Sequence, residues 1–500
     1  MKIEQIQHIT DVIGHWGKWQ SNIFFFYLTT SVYSAFHNLG LSLMAPRVDF
    51  TCATAIQKNL TDHCYADLAK TIPCTKWIYA ETFLVKTIIS EWDLVCDRAW
   101  LVSITQSLYM CGMTISALLC GHFSDKYGRL PVLWTAVVTE IVAGLSCAFS
   151  ISIYQYMISR FVLAIGAYGR YLTGFMLVIE TTGPEYRATM GIVCRFGWAL
   201  GCFILPGIVW LFDNWRHAQL AFTLPEILWI IWLCRIPESP RWQFAIGNTQ
   251  KAQEELRRAA ELNKRRLTGI EDKLEELRDR FEKENSGEGA DRKANFFDLW
   301  KTPNLRKNTI ILIVAWFTTG YVYYGLSLNI GDLGGNLLTN FAIAGLLEFP
   351  SFGLSLYALK KSGRRSVQFC IMFAAGIGSF IAIPFYFMPI KTTAINIALG
   401  MLVKFCISIS YYTIYIYSAE VYPTLVRQVG VGCNSGFSRL GSTLAPFVKE
   451  LSHYTHITVS FATFGIISTL SAFLVLLLPE TRGKEIPDTL LEAEKISRKS

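Results

Sequence analysis

The sequence predicts an all-α membrane protein of twelve transmembrane helices in two six-helix repeats, and three observations carry that prediction. The 500 residues are 52% hydrophobic and 17% charged, where soluble domains run near 25% charged, and mean hydropathy is +0.33. Apolar runs near the roughly 20 residues needed to cross a bilayer recur twelve times. One long charged segment, 236–307, divides them six and six.

The runs fall at 22–45, 101–121, 132–150, 154–179, 190–212 and 216–235, then at 308–328, 335–359, 367–388, 394–419, 428–449 and 457–478. A mixed polar start (MKIEQIQHITDVIGHWGKW) with no cleavable signal pattern precedes the first, which is expected to stay as a helix. The expected organisation is an N-terminal tail 1–21, a six-helix half 22–235, a linker 236–307, a second half 308–478 and a tail 479–500.

Loop charges orient the bundle. Lys126 and Arg129 follow the second span, Arg187 the fourth, Lys360, Lys361, Arg364 and Arg365 the eighth, and Arg427 the tenth. All lie on the side of the linker and both tails, which the positive-inside rule assigns to the cytoplasm. The opposite side carries short, nearly uncharged turns and one long polar loop, 46–100. Four of the 13 cysteines (Cys52, Cys64, Cys74 and Cys96) sit in that loop with the sequon at Asn59. Clustered cysteines beside an N-glycosylation acceptor fit disulfides on an extracellular face, with their pairing open. The other nine cysteines lie in or next to apolar runs and read as small packing residues.

The net charge of +8 raises nucleic acid, but the bases are spread over short loops between spans, so topology bias explains them. No nucleophile triad, metal-ligand spacing or phosphate loop is present, so the chain is not expected to be an enzyme or to hold a cofactor or metal. In the linker, Thr249–Lys283 is rich in Ala, Glu, Lys, Leu and Arg and predicts short amphipathic helices, followed by a flexible stretch at Glu284–Ala294. Two readings stand for it: a helical domain against the helix ends, or a solvated connector. The halves echo one another. GHFSDKYGR after span two has a counterpart in LKKSGRR after span eight, and IPESPRW after span six has one in LPETRGKEIPDT after span twelve. Repeated halves place a substrate site near the midplane between them.

GHFSDKYGRL resembles the loop signature of the major facilitator superfamily. IPESPRW and LPETRG resemble motifs shared by sugar porters and organic ion transporters. EWDLVC (91–96), YSAEVYPTLVRQVGVG (417–432) and NSGFSRLGSTLAPF (434–447) resemble the organic cation, anion and carnitine transporter family, solute carrier family 22. The likeness runs from His15 to Asp488. The long polar loop departs from it, being shorter and poorer in cysteine than in most animal members. The resemblance implies the major facilitator fold and alternating access. It implies charge pairs that latch one face and release, at Asp125, Gly128, Arg129, Glu180, Arg187, Glu238, Arg241, Glu420, Arg427 and Glu480. It also implies a multi-pass plasma-membrane protein with both termini cytoplasmic.

Charges inside the spans point to the site. Arg170, Arg195, Lys404 and Arg439 face Glu140, Glu226 and Glu348 in the tally. At about 2.5–3.5 kcal/mol each they would cost more than about 15 kcal/mol against lipid, so they face a cavity or one another. Gly432, Ser435, Arg439, Ser442 and Pro446 share one helical face, where a guanidinium can grip a carboxylate with two bonds. The resemblance sharpens this, since Arg here marks the anion and carnitine branches; the alternative is a structural ion pair. Lys404 shares a face with Ser408, Tyr411, Tyr415 and Ser418, and either contacts substrate or pairs with Glu348. Trp316, Tyr323 and Ser327, with Tyr324 adjacent, form either an aromatic box for an ammonium group or plain packing. His37 is a lone intramembrane histidine, read as a hydrogen-bonded packing residue before a proton carrier. Arg170 and Arg195 match no family position.

The candidate substrate residues are thus Arg439, Lys404, Glu348, Tyr323, Tyr324, Trp316, Tyr411 and Ser435. The expected function is secondary-active or facilitative transport of small organic ions, carnitine-type zwitterions first and organic anions as the alternative. A sugar-porter-like carrier or a non-transporting receptor stands behind both. Na⁺ coupling, H⁺ coupling and uniport stay open.

Overall fold

In the computed structural model, residues 8–55, 63–67, 70–80, 82–265, 270–286, 295–388, 392–423, 426–483 and 494 are described. The glycosylation candidate Asn59 lies outside them. The first half comprises α1 (Lys18–Met44), α2 (Trp100–Tyr127), α3 (Arg129–Ala148), α4 (Ile153–Thr181) and α5 (Pro184–Trp210). Its sixth span, α6, is broken: helix Trp215–Thr223, a 3₁₀ turn Leu224–Glu226, then helix Ile227–Leu233. Pro225 lacks the N–H that a continuous helix needs there. The second half comprises α7 (Pro303–Leu328), α8 (Leu337–Lys361), α9 (Arg364–Phe385), α10 (Thr393–Val421), α11 (Arg427–Leu444) and α12 (Ile457–Val475). The expected eleventh span, 428–449, is also interrupted. α11 stops at Leu444 and a separate helix, Phe447–Tyr454, starts beyond Pro446.

Among the described residues, nine helices are long and apolar enough to cross a membrane. The other three spans are α1, α6 and α11. Each gives up hydropathy to buried polar groups: His37 and Asn38 on α1, Glu226 on α6, Asn434 and Arg439 on α11. Apolar side chains such as Val142, Ile158, Leu228 and Ile466 point outward with no protein against them, as a lipid-facing belt does.

The loop between α1 and α2 is a compact plug. A short antiparallel pair, Phe50–Cys52 with Trp77–Tyr79, is registered Phe50 to Tyr79. Disulfides join Cys52 to Cys74 and Cys64 to Cys96. The EWDLVC segment seats the plug on the helix ends. Glu91 accepts from Trp215 Nε1 at 2.6 Å and from the Arg216 guanidinium at 2.6 Å, while that guanidinium also donates to the carbonyls of Ala148 and Ser150. Trp92 packs on Trp215 with ring centroids 5.3 Å apart.

The linker is docked, not a solvated connector. Helices Pro240–Ala245, Thr249–Leu262 and Ile270–Ser286 bury Phe244, Leu256, Leu274 and Leu277. Asn263 donates to Ile13 O and Gln20 Oε1 and accepts from Trp19 N, and Trp19 Nε1 donates to Glu255. These bonds hold the start of α1, so the linker caps the first half. Of the stretch 284–294, residues 287–294 lie outside the description.

The halves meet on the plug side. Ser103 donates to Glu450 at 2.7 Å and Ser107 to Thr443 O at 2.8 Å, joining α2 to the helix Phe447–Tyr454 and to the end of α11, and Arg47 pairs with Asp332 at 3.2 Å. α5 and α8 touch where a Cβ at Gly345 would meet Phe203 N at 2.6 Å. Toward the linker side the same helices part. Gly121 lies five turns from Ser103 on one face of α2, and Gly432 two turns from Arg439 on α11; a Cβ at either meets nothing within 4 Å. The gap opens on the linker side.

A bulky residue in that gap tests whether the halves rock. Gly432→Trp is expected to express as wild type in this arrangement and to block its closure. Spin-label distances between the linker-side ends of α2 and α11 should then collapse to one long population. Retention of a short population would count against rocking about the plug-side contacts.

Candidate functional site

Between the halves lies a cavity of about 100 Å³. Its walls come from α1 (Ser34, Asn38), α2 (Tyr109, Met113), α4 (Ala167, Tyr168, Tyr171) and α5 (Arg195, Trp198). The facing half gives α7 (Tyr323, Tyr324), α10 (Ser408, Tyr411, Tyr412, Tyr415) and α11 (Arg439). Eight tyrosines and one tryptophan line it. The charged lining residues are Arg195 and Arg439.

Tyrosine, not carboxylate, meets each arginine. Arg439 Nη2 donates to Tyr168 OH at 2.8 Å, with the guanidinium carbon 4.5 Å from that ring centroid. Arg195 Nη1 donates to Tyr171 OH at 3.4 Å and its guanidinium lies 5.2 Å from the Tyr415 ring. Among the described residues neither forms a salt bridge, and Arg439 Nε has no hydrogen-bond partner. The Arg439–Tyr168 bond crosses between the halves, whereas Arg195 and Tyr171 belong to the first half and only the Tyr415 ring reaches Arg195 from the other.

Every buried acid is otherwise engaged. Arg170 forks onto Glu140, bonding both carboxylate oxygens. Glu226 lies 2.9 Å from His37 Nε2. Glu348 meets Lys404 Nζ at 3.2 Å and accepts from Tyr323 OH, Ser408 Oγ and Tyr412 OH at 2.9, 3.1 and 3.0 Å. Lys404 also donates to Ser327 at 2.7 Å and sits 3.1 Å from the Tyr323 ring centroid. Arg160, absent from the sequence tally, is fully buried. It donates to His37 O at 2.6 Å and Gln106 Oε1 at 2.9 Å and lies over Tyr109.

Of the eight candidate substrate residues, the cavity brings together Arg439, Tyr323, Tyr324 and Tyr411. Lys404 and Glu348 stand behind the wall as a pair, with Tyr323 and Ser408 in front. Trp316 is buried among α7 and α10 and donates to Ser418 at 2.8 Å, which is packing. Ser435 is half-buried on α11 and not part of the lining. Arg195, which matched no family position, is on the wall. Its signal was in the sequence as a base within an apolar run, but the helix face that shows it depends on packing.

The latch candidates gather in two equivalent clusters, one inside each half. In the first, Arg129 pairs with Glu180 at 2.6 Å and Asp125 at 3.0 Å, and Glu238 accepts from the backbone of Arg129 and Leu130, each at 3.0 Å. Burial pushes the Glu238 carboxyl up, against the pull of those N–H groups. Gly128 adopts φ +107°, and a Cβ there would strike Glu238 Oε2 at 2.5 Å. In the second, Arg364 forks onto Glu420 at 2.9 and 3.1 Å, and Glu480 accepts from the backbone of Arg364 and Arg365 at 2.8 and 3.2 Å. Arg364 was not among the latch candidates, although aligning GRR with the earlier GR points to it. Neither cluster bridges the halves here. Arg241 is exposed and Arg427 half-buried at the start of α11; the Arg187 side chain lies outside the description.

These features define a membrane transporter of the major facilitator kind, not an enzyme: two pseudo-symmetric six-helix halves around a central cavity open to one side. The xylose transporter XylE from E. coli, in its inward-open conformation, superposes with a TM-score of 0.67 at 17% identity, covering 95% of this chain and 99% of that one. Residues 50–489 match the family described as Sugar (and other) transporter. The organic cation transporter protein of Drosophila melanogaster is 32% identical over 97% of this chain and 94% of its own length. Solute carrier family 22 member 3 of Rattus norvegicus is 33% identical over 86% and 75%, and organic anion transporter 3 of Homo sapiens 33% over 85% and 77%. The chain therefore belongs to the organic cation and anion transporter family, solute carrier family 22, within that superfamily.

The Lys404–Glu348 pair gives a stability prediction. Lys404→Met or Glu348→Gln alone leaves the partner's charge or its donors unmatched in a dry site, at a cost of about 3–5 kcal/mol. The double variant should recover most of that loss, read as the midpoint of thermal unfolding of detergent-purified protein. Additive single losses would show that the two do not interact.

Proposed function

We propose that the chain carries organic anions, with the carboxylate or sulfonate held by Arg439 and Arg195 and an apolar or aromatic body against the tyrosines. The single observation behind this is the charge balance of the wall: among the described residues its two arginines have no carboxylate partner, while Glu140 and Glu348 are each ion-paired with a base and Glu226 is bonded to His37 behind the wall. A ligand carboxylate supplies the bidentate partner that the protein withholds. Relatives named as cation and as anion transporters both support an organic ion as cargo.

A simple organic cation fits less well. Four of the eight cavity tyrosines already face a protein cation: Tyr109 with Arg160, Tyr168 with Arg439, Tyr323 with Lys404 and Tyr415 with Arg195. Glu348, the acid nearest the aromatic residues, is already occupied by Lys404. The second reading, a carnitine-type zwitterion, rests on Tyr171, Tyr324, Tyr411 and Tyr412, whose rings no Lys or Arg among the described residues faces. In the proposed orientation the disulfide plug is extracellular at the plasma membrane and the linker and open side are cytoplasmic, a reading the loop charges support.

Uptake of hippurate, carnitine and tetraethylammonium by cells producing the chain separates the readings. Hippurate is expected to be taken up saturably. Arg439→Ala and Arg195→Ala each remove a charge-assisted bond of about 1.5–3 kcal/mol, a rise in KM of about 10-fold to 100-fold. Arg439→Lys keeps the charge without the fork and should fall between. Tetraethylammonium uptake above that of hippurate, indifferent to both arginines, would overturn the anion reading.

A further inference from the structure

Behind the cavity wall of the first half lies a second ionisable cluster that the anion site does not use. His37 on α1, Glu140 on α3 and Glu226 on α6 are fully or almost fully buried, and a ring nitrogen and one oxygen of each acid lie within 4.8 Å of one another. Glu226 Oε1 bonds His37, whereas its Oε2 has no hydrogen-bond partner among the described residues, nor has His37 Nδ1. Glu140 already receives the fork of Arg170. Two carboxylates face each other without a donor between them, deep in a medium where an unmatched charge costs several kcal/mol. A proton supplies that donor.

The surrounding charges fit a proton better than a metal ion. α4 presents Arg160 and Arg170 to the cluster, and α2 presents Tyr109. Tyr33 on α1 faces Glu226, and Tyr156 of α4 and Cys147 of α3 stand near Arg160. Two fixed guanidiniums balance two carboxylates. A divalent ion would make the pocket strongly positive, whereas one proton adds a single charge.

The cluster is one residue from the cavity. Arg170 Nη2 donates to Ser34 Oγ at 3.1 Å, and Ser34 is on the cavity wall. Arg160 holds the His37 carbonyl, and Gln106, which Arg160 also bonds, donates to Asn38 O at 2.9 Å, another wall residue.

We propose that the His37–Glu140–Glu226 cluster is a proton-binding site, and that its proton travels with the organic anion. The second half of that statement rests on the anion reading; the first does not. Protonation takes the cluster from neutral to a charge of +1 beside a cavity that already presents two arginines. An anion in the cavity and a proton in the cluster therefore favour one another. By linkage the anion raises proton affinity by the factor by which the proton raises anion affinity, typically about 5-fold to 150-fold.

Infrared difference spectra of the purified, substrate-free protein between about pH 5 and pH 8 test the site itself. The wild type is expected to lose a protonated-carboxyl band as pH rises, and Glu226→Gln to lack that band. Identical titrations of the two would overturn the site. His37→Gln, which removes only the partner, is the second variant should Glu226→Gln fail to fold, and it is expected to shift the band's midpoint; an unmoved midpoint counts against the cluster. Proteoliposomes test the coupling. Hippurate exchange at equal pH on both sides reports the anion reading alone, and its absence in the wild type would sink that reading and the coupling, leaving the infrared result to decide the site. With exchange present, an inward gradient of about one pH unit should raise wild-type accumulation about tenfold for one proton per anion, and Glu226→Gln should keep exchange but lose the gradient effect. Equal accumulation in wild type and variants would overturn the coupling.

Discussion

The cost of an unmatched charge in hydrocarbon is the constraint on which the rest of this structure depends. Within the spans, Glu140 is ion-paired with Arg170 and Glu348 with Lys404, and Glu226 is bonded on one oxygen by His37, its other oxygen having no partner among the described residues. Arg160 is matched by a carbonyl and an amide instead. These pairs join α3 to α4, α1 to α6 and α8 to α10, so they fix which face of each turns inward. Breaking one costs far more than an exposed ion pair would. Against that background, two arginines left to tyrosine oxygens and ring faces are a departure, and the departure is located in the cavity.

Rigid halves are the other requirement of a transporter that rocks. The two arginine–glutamate clusters provide it at equivalent places. Arg129, Glu180 and Glu238 tie the α2–α3 turn, the end of α4 and the chain after α6 into one corner; Arg364, Glu420 and Glu480 do the same for α8–α9, α10 and the chain after α12. Both corners lie on the open side, where no bond across the halves holds the helices in place among the described residues. The docked linker helices add a cap to the first half through Asn263 and Trp19. Movement is thereby directed to the interface between halves, not into either half.

The spans and their grouping were legible because hydropathy and loop charge are local properties of the chain. Interruptions at Pro225 and Pro446 were visible as residues but not as breaks, since proline is tolerated inside other spans here, at Pro206, Pro350 and Pro384. Arg439 was legible because the small polar residues beside it mark a face. Lys404 was legible only as an alternative, substrate or Glu348, because that choice is made by a contact between α8 and α10. Arg160 escaped notice within an otherwise apolar run, and its neutral partners leave no sequence signature. The aromatic wall was mostly illegible: its eight tyrosines come from four helices, α2, α4, α7 and α10, and the faces coincide only after packing.

That wall also bears on how selective such a cavity can be. Arginine sets the sign of charge strongly, because a buried guanidinium prefers an anion by several kcal/mol over a neutral or cationic group. Tyrosine rings set shape weakly, since a ring face accepts any apolar surface and each hydroxyl rotates to donate or accept. Tyr168 is already shared with Arg439 and Tyr171 with Arg195, so under the proposed anion reading an entering carboxylate would exchange for phenol oxygens that can turn to other partners. The arginines therefore lose little when the cargo leaves. A cavity built this way discriminates by charge before it discriminates by outline, and releases what it binds without stranding a buried charge.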